Sequence, residues 1–187
     1  MQFKSTFDFR YGIGMVFSST IGICRVLLPS EDSAFNQLES RFSGYPSSLL
    51  TEQTAIMLKE YFKGVCQDFS GLPVDLGDLS QFRARILQLI RAIPFGEVWS
   101  YGYVAKMADF PGGARAIGGA MASNPVPIII PCHRVVGANG KLTGFTAPGG
   151  LKLKKILLQM EGVEFKGEVV SRNIDSYKQD KVGMKKI

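Results

Sequence analysis

The sequence predicts a mixed fold of the α+β kind within the broad α/β class. It comprises a small N-terminal β-sheet domain with a covering helix and a mainly helical C-terminal domain that contains a helix-turn-helix. Three observations carry this reading. Aromatic and β-branched residues dominate from Thr6 to Leu28. Apolar residues recur at helical spacing from Phe82 to Ile93. Two short helical segments flank Pro111-Gly112-Gly113.

Gly12, Gly14 and Ser18-Ser19-Thr20 punctuate the first stretch, which therefore reads as strands joined by a hairpin connection. Thr51 is an N-cap candidate for a helix whose Ala55, Leu58, Phe62 and Val65 share one face, with Gly71-Leu72-Pro73 as its stop. This helix is expected to cover the sheet. Asp78 followed by Gln81 has the form of a capping box, and Phe82, Ile86, Leu89 and Ile93 line the helix that Pro94 ends. The pattern changes near Leu76 to Leu79, which divides the chain into an N-terminal α/β domain over 1–77 and a C-terminal domain over 78–167. A polar, lysine-rich tail is expected over 168–187.

Within the C-terminal domain, Ser100 can cap a short helix running to Met107, and a second segment runs from Ala114 to Ala122. Pro125, Pro127 and Pro131 then bracket Ile128, Ile129 and Ile130, a buried strand-like run leading into Cys132. A glycine-rich loop over 137–150 precedes a last helix with Leu153, Ile156, Leu157 and Met160 on one face, ending at Glu161-Gly162.

The composition narrows the function classes. With 22 Lys plus Arg against 16 Asp plus Glu, the formal charge of +6 favours polyanionic partners. An apolar fraction of 45% with 20% charged residues argues against a disordered chain. Cys24, Cys66 and Cys132 form no Cys-x-x-Cys pair, and one histidine makes a structural zinc site a poor fit, so neither a disulfide framework nor a metal is expected. Met1 to Arg10 lacks the apolar stretch of a signal peptide, and Val126 to Ile130 is too short to span a bilayer. The expectation is a cytoplasmic protein.

The chemistry centres on Cys132 beside His133. Cys132 reads as a nucleophile activated by imidazole, as a buried packing thiol, or as a redox or metal-binding group. Consecutive strand residues point to opposite faces, so coupling the two side chains needs a turn or a bridging water. His133 is the single imidazole base available, and Glu161 and Glu164 are the acids that can orient it. In the second short helix Ala114, Ala116, Gly118, Gly119 and Ala120 leave Arg115 as the one long polar side chain. Such a face suits a tight helix contact or a shallow groove. Lys141, Lys152, Lys154 and Lys155 can meet phosphates, although the last three equally suit a solvated helix face.

Pro131-Cys132-His133-Arg134-Val135 closely resembles the nucleophile segment of the O6-alkylguanine-DNA alkyltransferases, also called methylated-DNA--protein-cysteine methyltransferases. The likeness extends, in the family's order, through Pro94-Phe95-Gly96-Glu97-Val98, Ser100-Tyr101, Ala114 to Ala120, Asn124-Pro125-Val126-Pro127-Ile128 and Glu161-Gly162. It covers the C-terminal half. The N-terminal half resembles the family in size and layout. The resemblance implies a monomeric direct-reversal repair protein that binds duplex DNA containing O6-alkylguanine, flips the base out, and moves the alkyl group irreversibly onto Cys132 without a cofactor. It implies a Cys132-water-His133-Glu161 relay, Tyr101 as donor to the leaving guanine, and Asn124 as the hinge that keeps neighbouring turns in register. It further implies that Arg115 is the finger filling the vacated stack, that Ala114 enters the minor groove, and that Val135 and the Cys132 carbonyl help line the guanine pocket.

One stretch departs from the family pattern. Gly144-Phe145-Thr146-Ala147-Pro148-Gly149-Gly150 carries a two-residue insertion in the substrate loop, with Phe145 placed to stack on the base and Thr146 to offer a hydroxyl. The alternatives are a non-catalytic sensor of alkylated DNA, which the intact Cys132 opposes, and a helix-turn-helix regulator, which the alanine- and glycine-rich second helix opposes. A cysteine peptidase or acyltransferase would need an oxyanion-hole motif that is not recognisable here.

Overall fold

The computed structural model describes residues 1–9, 12–28 and 40–171. Strands β1 (Phe3–Phe9), β2 (Gly12–Ser18) and β3 (Ile23–Leu27) form an antiparallel sheet in the order β1-β2-β3. Gly12 and Gly14 lie inside β2 rather than between strands. Close packing explains the second: Phe7 pairs with Gly14, and a Cβ there would sit 2.1 Å from its ring.

Helix α1 (Leu49–Phe62) covers this sheet, with the Phe62 ring on those of Phe7 and Phe9. Its cap is Ser48, and Thr51 is the third residue of the helix: Ser48 Oγ accepts from Thr51 N, and Thr51 Oγ1 accepts from Ser48 N. The helix stops well before Pro73 because Gly64 adopts a φ of +87°, which ends the helical path. Val65 consequently lies outside the helix and is exposed.

Helix α2 (Gln81–Arg91) is capped by Ser80 rather than Asp78. Its buried residues are Ile86, Leu87 and Ile90, which turns Phe82 outward. At its end, Arg91 Nη2 donates to the carbonyls of Phe69, Ser70 and Leu72 and so ties α2 to the segment after α1. The two-residue strand β4 (Trp99–Ser100) leads into α3 (Tyr101–Met107), with Ser100 Oγ accepting from Tyr103 N at 3.1 Å. The Pro111–Gly113 turn then delivers α4 (Ala114–Ala122), and this helix-turn-helix pair packs on α2.

The isoleucine run is not a strand. It folds as a tight turn in which Ile128 has a φ of +74°, a strained value for a β-branched residue, while Val126, Ile128, Ile129 and Ile130 are all buried. After a short 3-10 turn over Cys132–Arg134, β5 (Val135–Val136) pairs in parallel with β4. The loop then enters α5 (Gly150–Met160), and a final hairpin joins β6 (Phe165–Lys166) to β7 (Val169–Val170). Packing therefore continues past Gly167 into the span assigned to the polar tail: Val170 is buried in a cluster with Val136, Leu142 and Leu158, and its N–H donates to Gly140 O. The remainder of that tail, 172–187, lies outside the described residues.

The main apolar cluster runs through both halves of the chain, joining Ile23 and Leu58 to Ile86, Trp99 and Cys132. Among the described residues no helix is long and apolar enough to cross a membrane.

Leu58 is fully buried between α1 and the sheet, whereas Ile56 is 62% exposed on the same helix. Leu58→Ala is expected to destabilise the fold by about 2–5 kcal/mol in urea unfolding, and Ile56→Ala by about 0.5 kcal/mol or less. Equal effects would contradict the placement of α1.

Candidate functional site

The parallel pairing of Trp99 with Val135 and of Ser100 with Val136 fixes the site. It sets the start of α3, with Tyr101, against the 3-10 turn that carries Cys132 and His133. A turn replaces the extended backbone, so the two neighbouring side chains are no longer forced onto opposite faces of a strand.

Cys132, Tyr101, Gly118, Met121, Ala122, Gly144, Phe145 and Thr146 line a cavity of about 220 Å³. The Tyr101 hydroxyl donates to Thr143 O at 3.3 Å. Phe145 and Thr146 both face this cavity, and just after them Ala147 and Gly150 close a turn, with Gly150 N donating to Ala147 O at 3.0 Å. Val135 does not line this cavity. Its side chain is fully buried, and its N–H donates to the Cys132 carbonyl, which takes that oxygen as well into the turn.

Asn124 follows α4 and grips the turn before the cysteine. Its Nδ2 donates to Ile130 O at 2.9 Å and to Cys132 Sγ at 3.3 Å, and its Oδ1 accepts from Val126 N at 3.1 Å. Burial pushes the Cys132 thiol up from its ordinary pKa, against the Asn124 hydrogen bond and the Lys154 charge, which pull it down. The resting group is a thiol.

Behind the cysteine lies a buried polar cluster. His133 Nε2 is 2.8 Å from Glu161 Oε1, and both side chains are fully buried. Glu161 rather than Glu164 is thus the acid that meets the histidine. Arg134 donates from Nε to Glu161 Oε2 at 2.8 Å and from Nη2 to Oε1 at 3.0 Å, and its Nη1 reaches Ile93 O at 2.6 Å. Gly96 N adds a contact to Oε2 at 3.3 Å, and its φ of +77° keeps that backbone close. Burial alone would push the Glu161 carboxyl up, but His133 and Arg134 together hold it well below the usual range. Burial lowers the pKa of His133 against the raising effect of Glu161, so the ring rests neutral. A neutral ring beside an ionised carboxylate carries its proton on Nε2, which leaves Nδ1, buried and without a hydrogen-bond partner among the described residues, as a free base.

The sequence missed three residues here. In the sequence Arg134 stands out only as part of a motif. Tyr61 was an unremarked residue of the covering helix, yet its hydroxyl donates to Glu161 Oε1 at 2.5 Å. Lys154, read as a phosphate contact or a residue of a solvated helix face, is fully buried. Its Nζ donates to Val135 O at 2.6 Å and Thr143 O at 2.7 Å, joining the turn after the cysteine to the substrate loop. Burial brings its pKa down to about 8. The faint signal was position: Lys154 adjoins Leu153 and precedes Leu157 by three, inside the apolar face. Ala114 and Arg115 are exposed at the start of α4, away from the buried cluster. Among the described residues no group of His, Cys, Asp or Glu converges to hold a metal ion.

A helix-turn-helix pair mounted beside a buried, hydrogen-bonded thiol defines a small class of proteins. Comparison with known proteins agrees. Residues 81–163 match the family described as 6-O-methylguanine DNA methyltransferase, DNA binding domain. The chain is 40% identical over 122 residues to the methylated-DNA--protein-cysteine methyltransferase of Mycobacterium leprae, covering 65% of this chain and 72% of that one. The Shigella flexneri protein of the same name is 43% identical over 56% of this chain, a match spanning 60% of the relative's length. The crystal structure of Mycobacterium tuberculosis OGT in complex with DNA superimposes with a TM-score of 0.69 at 34% identity, covering 84% of this chain and 91% of that one. The chain belongs to the methylated-DNA--protein-cysteine methyltransferase family.

Two outcomes follow from this geometry. Lys154→Met strands two carbonyls and is expected to cost about 1–3 kcal/mol in chemical unfolding, whereas the exposed Lys152→Met should be near neutral. The pH dependence has a definite sign. With the folded His133 pKa depressed, the unfolded chain binds more protons below about pH 6.5, so stability falls as pH drops through that value. Glu161, also depressed, adds stability above about pH 4.3 that is lost on further acidification. Thermal midpoints should decline from pH 7 to pH 4, and His133→Gln should flatten the upper part of that decline.

Proposed function

We propose that this chain is a direct-reversal DNA repair protein that takes the alkyl group of an O6-alkylguanine onto its own Cys132. The observation that carries the reading is the convergence of Cys132, Tyr101, Phe145 and Thr146 on one cavity, with the His133–Glu161 pair behind it. Duplex DNA is the partner, and the target base must leave the stack to reach a thiol this deep. Arg115, exposed at the start of α4, fills the space the base vacates, while Ala114 and the small residues after it allow the helix into the minor groove. The crystal structure of the tuberculosis relative in complex with DNA supports DNA as the partner.

The chemistry is a displacement at the alkyl carbon. Cys132 Sγ forms a bond to that carbon as the bond to guanine O6 breaks, and the thiol proton passes through a water to His133 Nδ1. Glu161 holds the Nε2 proton and stabilises the imidazolium that results. The guanine leaves with the electron pair, and the Tyr101 hydroxyl, turning from Thr143 O, donates toward a ring nitrogen to offset the growing charge. Asn124 keeps Sγ aimed into the cavity and stabilises the thiolate as it forms. Phe145 stacks on the base and Thr146 offers a hydroxyl near its oxygen. Nucleophile, base and donor are all side chains of one chain, so the reaction as written uses no metal or organic cofactor, and a cytoplasmic monomer suffices. The thioether is stable, so each molecule acts once.

Intact-mass measurement followed by peptide mapping after incubation with duplex DNA carrying O6-methylguanine tests the reading. One methyl group on Cys132 is expected, and Cys132→Ser should gain none while still binding the duplex. Binding without a mass change in the unaltered protein would favour a damage sensor instead. Arg115→Ala is expected to slow transfer from duplex DNA by about 10-fold or more while sparing reaction with the free base, a loss of roughly 1.4 kcal/mol in transition-state stabilisation. Equal losses on both substrates would count against the finger role.

A further inference from the structure

Tyr61 is remote in sequence from every residue it meets in the site. It sits on the last turn of α1, the helix that covers the N-terminal sheet, and is 1% exposed. Its hydroxyl lies 2.5 Å from Glu161 Oε1 and 3.2 Å from His133 Nε2. Phe62, Phe69 and Phe95 surround its ring edge to face, so the phenol has little freedom to swing away.

We propose that Tyr61 is a positioning residue that sets the orientation and basicity of His133 through Glu161, which makes the N-terminal half part of the alkyl-transfer site. The inference rests on the function proposed above. Glu161 is kept ionised by Arg134 and therefore only accepts, so the Tyr61 proton is committed to Oε1. With that proton committed, the phenol oxygen faces Nε2 as a second acceptor. The Nε2 proton is then shared between Oε1 at 2.8 Å and the phenol oxygen at 3.2 Å, which locks the ring plane and leaves Nδ1 as the basic nitrogen. Burial and the neighbouring Glu161 charge raise the phenol well above its ordinary pKa, so it remains a donor at every pH where the protein works.

The direction of the effect on His133 follows from charge sharing. A hydrogen bond from Tyr61 spreads the Glu161 charge and weakens its hold on the imidazolium. The other charged groups acting on the ring or on its partner are Arg134 and Lys154, and Tyr61→Phe alters neither. Tyr61→Phe preserves the ring packing and deletes a 2.5 Å donor to Glu161 together with the longer, 3.2 Å acceptor contact to Nε2, and the shorter bond to the charged carboxylate dominates. Glu161 then attracts the ring proton more strongly, so His133 titrates higher.

Because His133 is the sole histidine, its ring can be read without ambiguity by nitrogen NMR in the full-length protein. The unaltered protein should show a protonated Nε2 and an unprotonated Nδ1 at neutral pH, and the opposite tautomer would overturn the inference even if the variant fails to fold. In Tyr61→Phe the His133 titration should move up by about half a unit to one unit. In transfer kinetics with O6-methylguanine duplex, the acidic limb of the pH profile should move with it, and the DNA concentration at half-maximal rate should stay unchanged. An unmoved titration in a folded variant would reduce Tyr61 to a packing residue. Failure of the unaltered protein to transfer would sink the repair reading instead, while leaving the ring titration as a separate test of Tyr61.

Discussion

A carboxylate with no contact with water must have its charge met by donors, and Glu161 meets this demand with Tyr61, His133, Arg134 and Gly96. These come from the covering helix, from the turn after α2 and from the nucleophile segment. The requirement explains features far from the carboxylate itself. Arg134 is buried because two of its nitrogens neutralise Glu161, and a third is satisfied only by the Ile93 carbonyl at the end of α2. Position 96 requires glycine, both because its φ of +77° lies in the left-handed region and because a Cβ would press on the Glu161 carbonyl at 2.9 Å. Removing any one donor would leave a buried charge underpaired.

The resting electrostatics are those of a latent reagent. Cys132 is held as a thiol and His133 as a neutral imidazole, each by burial, so no ion pair exists until a proton moves between them. Under the proposed chemistry this restraint has a use. A thiol spent in a single event gains from staying inert toward stray electrophiles, and its activation is coupled to a base entering the cavity and offering a leaving group.

The same cavity depends on two backbone arrangements. Ile128 bears a strained φ so that the chain can reverse between Asn124 and Cys132, and the Asn124 amide joins both ends of that turn. On the opposite wall, Lys154 ties Val135 to Thr143 and thereby anchors the loop whose Phe145 and Thr146 face the thiol. Ala147 and Pro148 lie in the turn that opens α5, outside this anchored part.

Local patterns in the sequence are enough to indicate the sheet, the helix that ends before Pro94 and the paired helices around Pro111-Gly112-Gly113, and to draw attention to Cys132 and His133, whereas Glu161, Tyr101 and Asn124 are expected from the family resemblance. These follow from spacing, turn chemistry and motif, which are properties of short segments. Long-range packing decided the rest. Gly14 belongs to a strand because Phe7 of the neighbouring strand β1 covers it, and the isoleucine run turns because prolines and Asn124 define both of its ends. Tyr61 and Lys154 could not be recognised, since one looks like a core aromatic and the other like a surface cation until the chain closes. Only tertiary structure brings Tyr61 to a carboxylate 100 residues away and closes protein over a lysine whose charge can be satisfied solely by carbonyls from two separate segments.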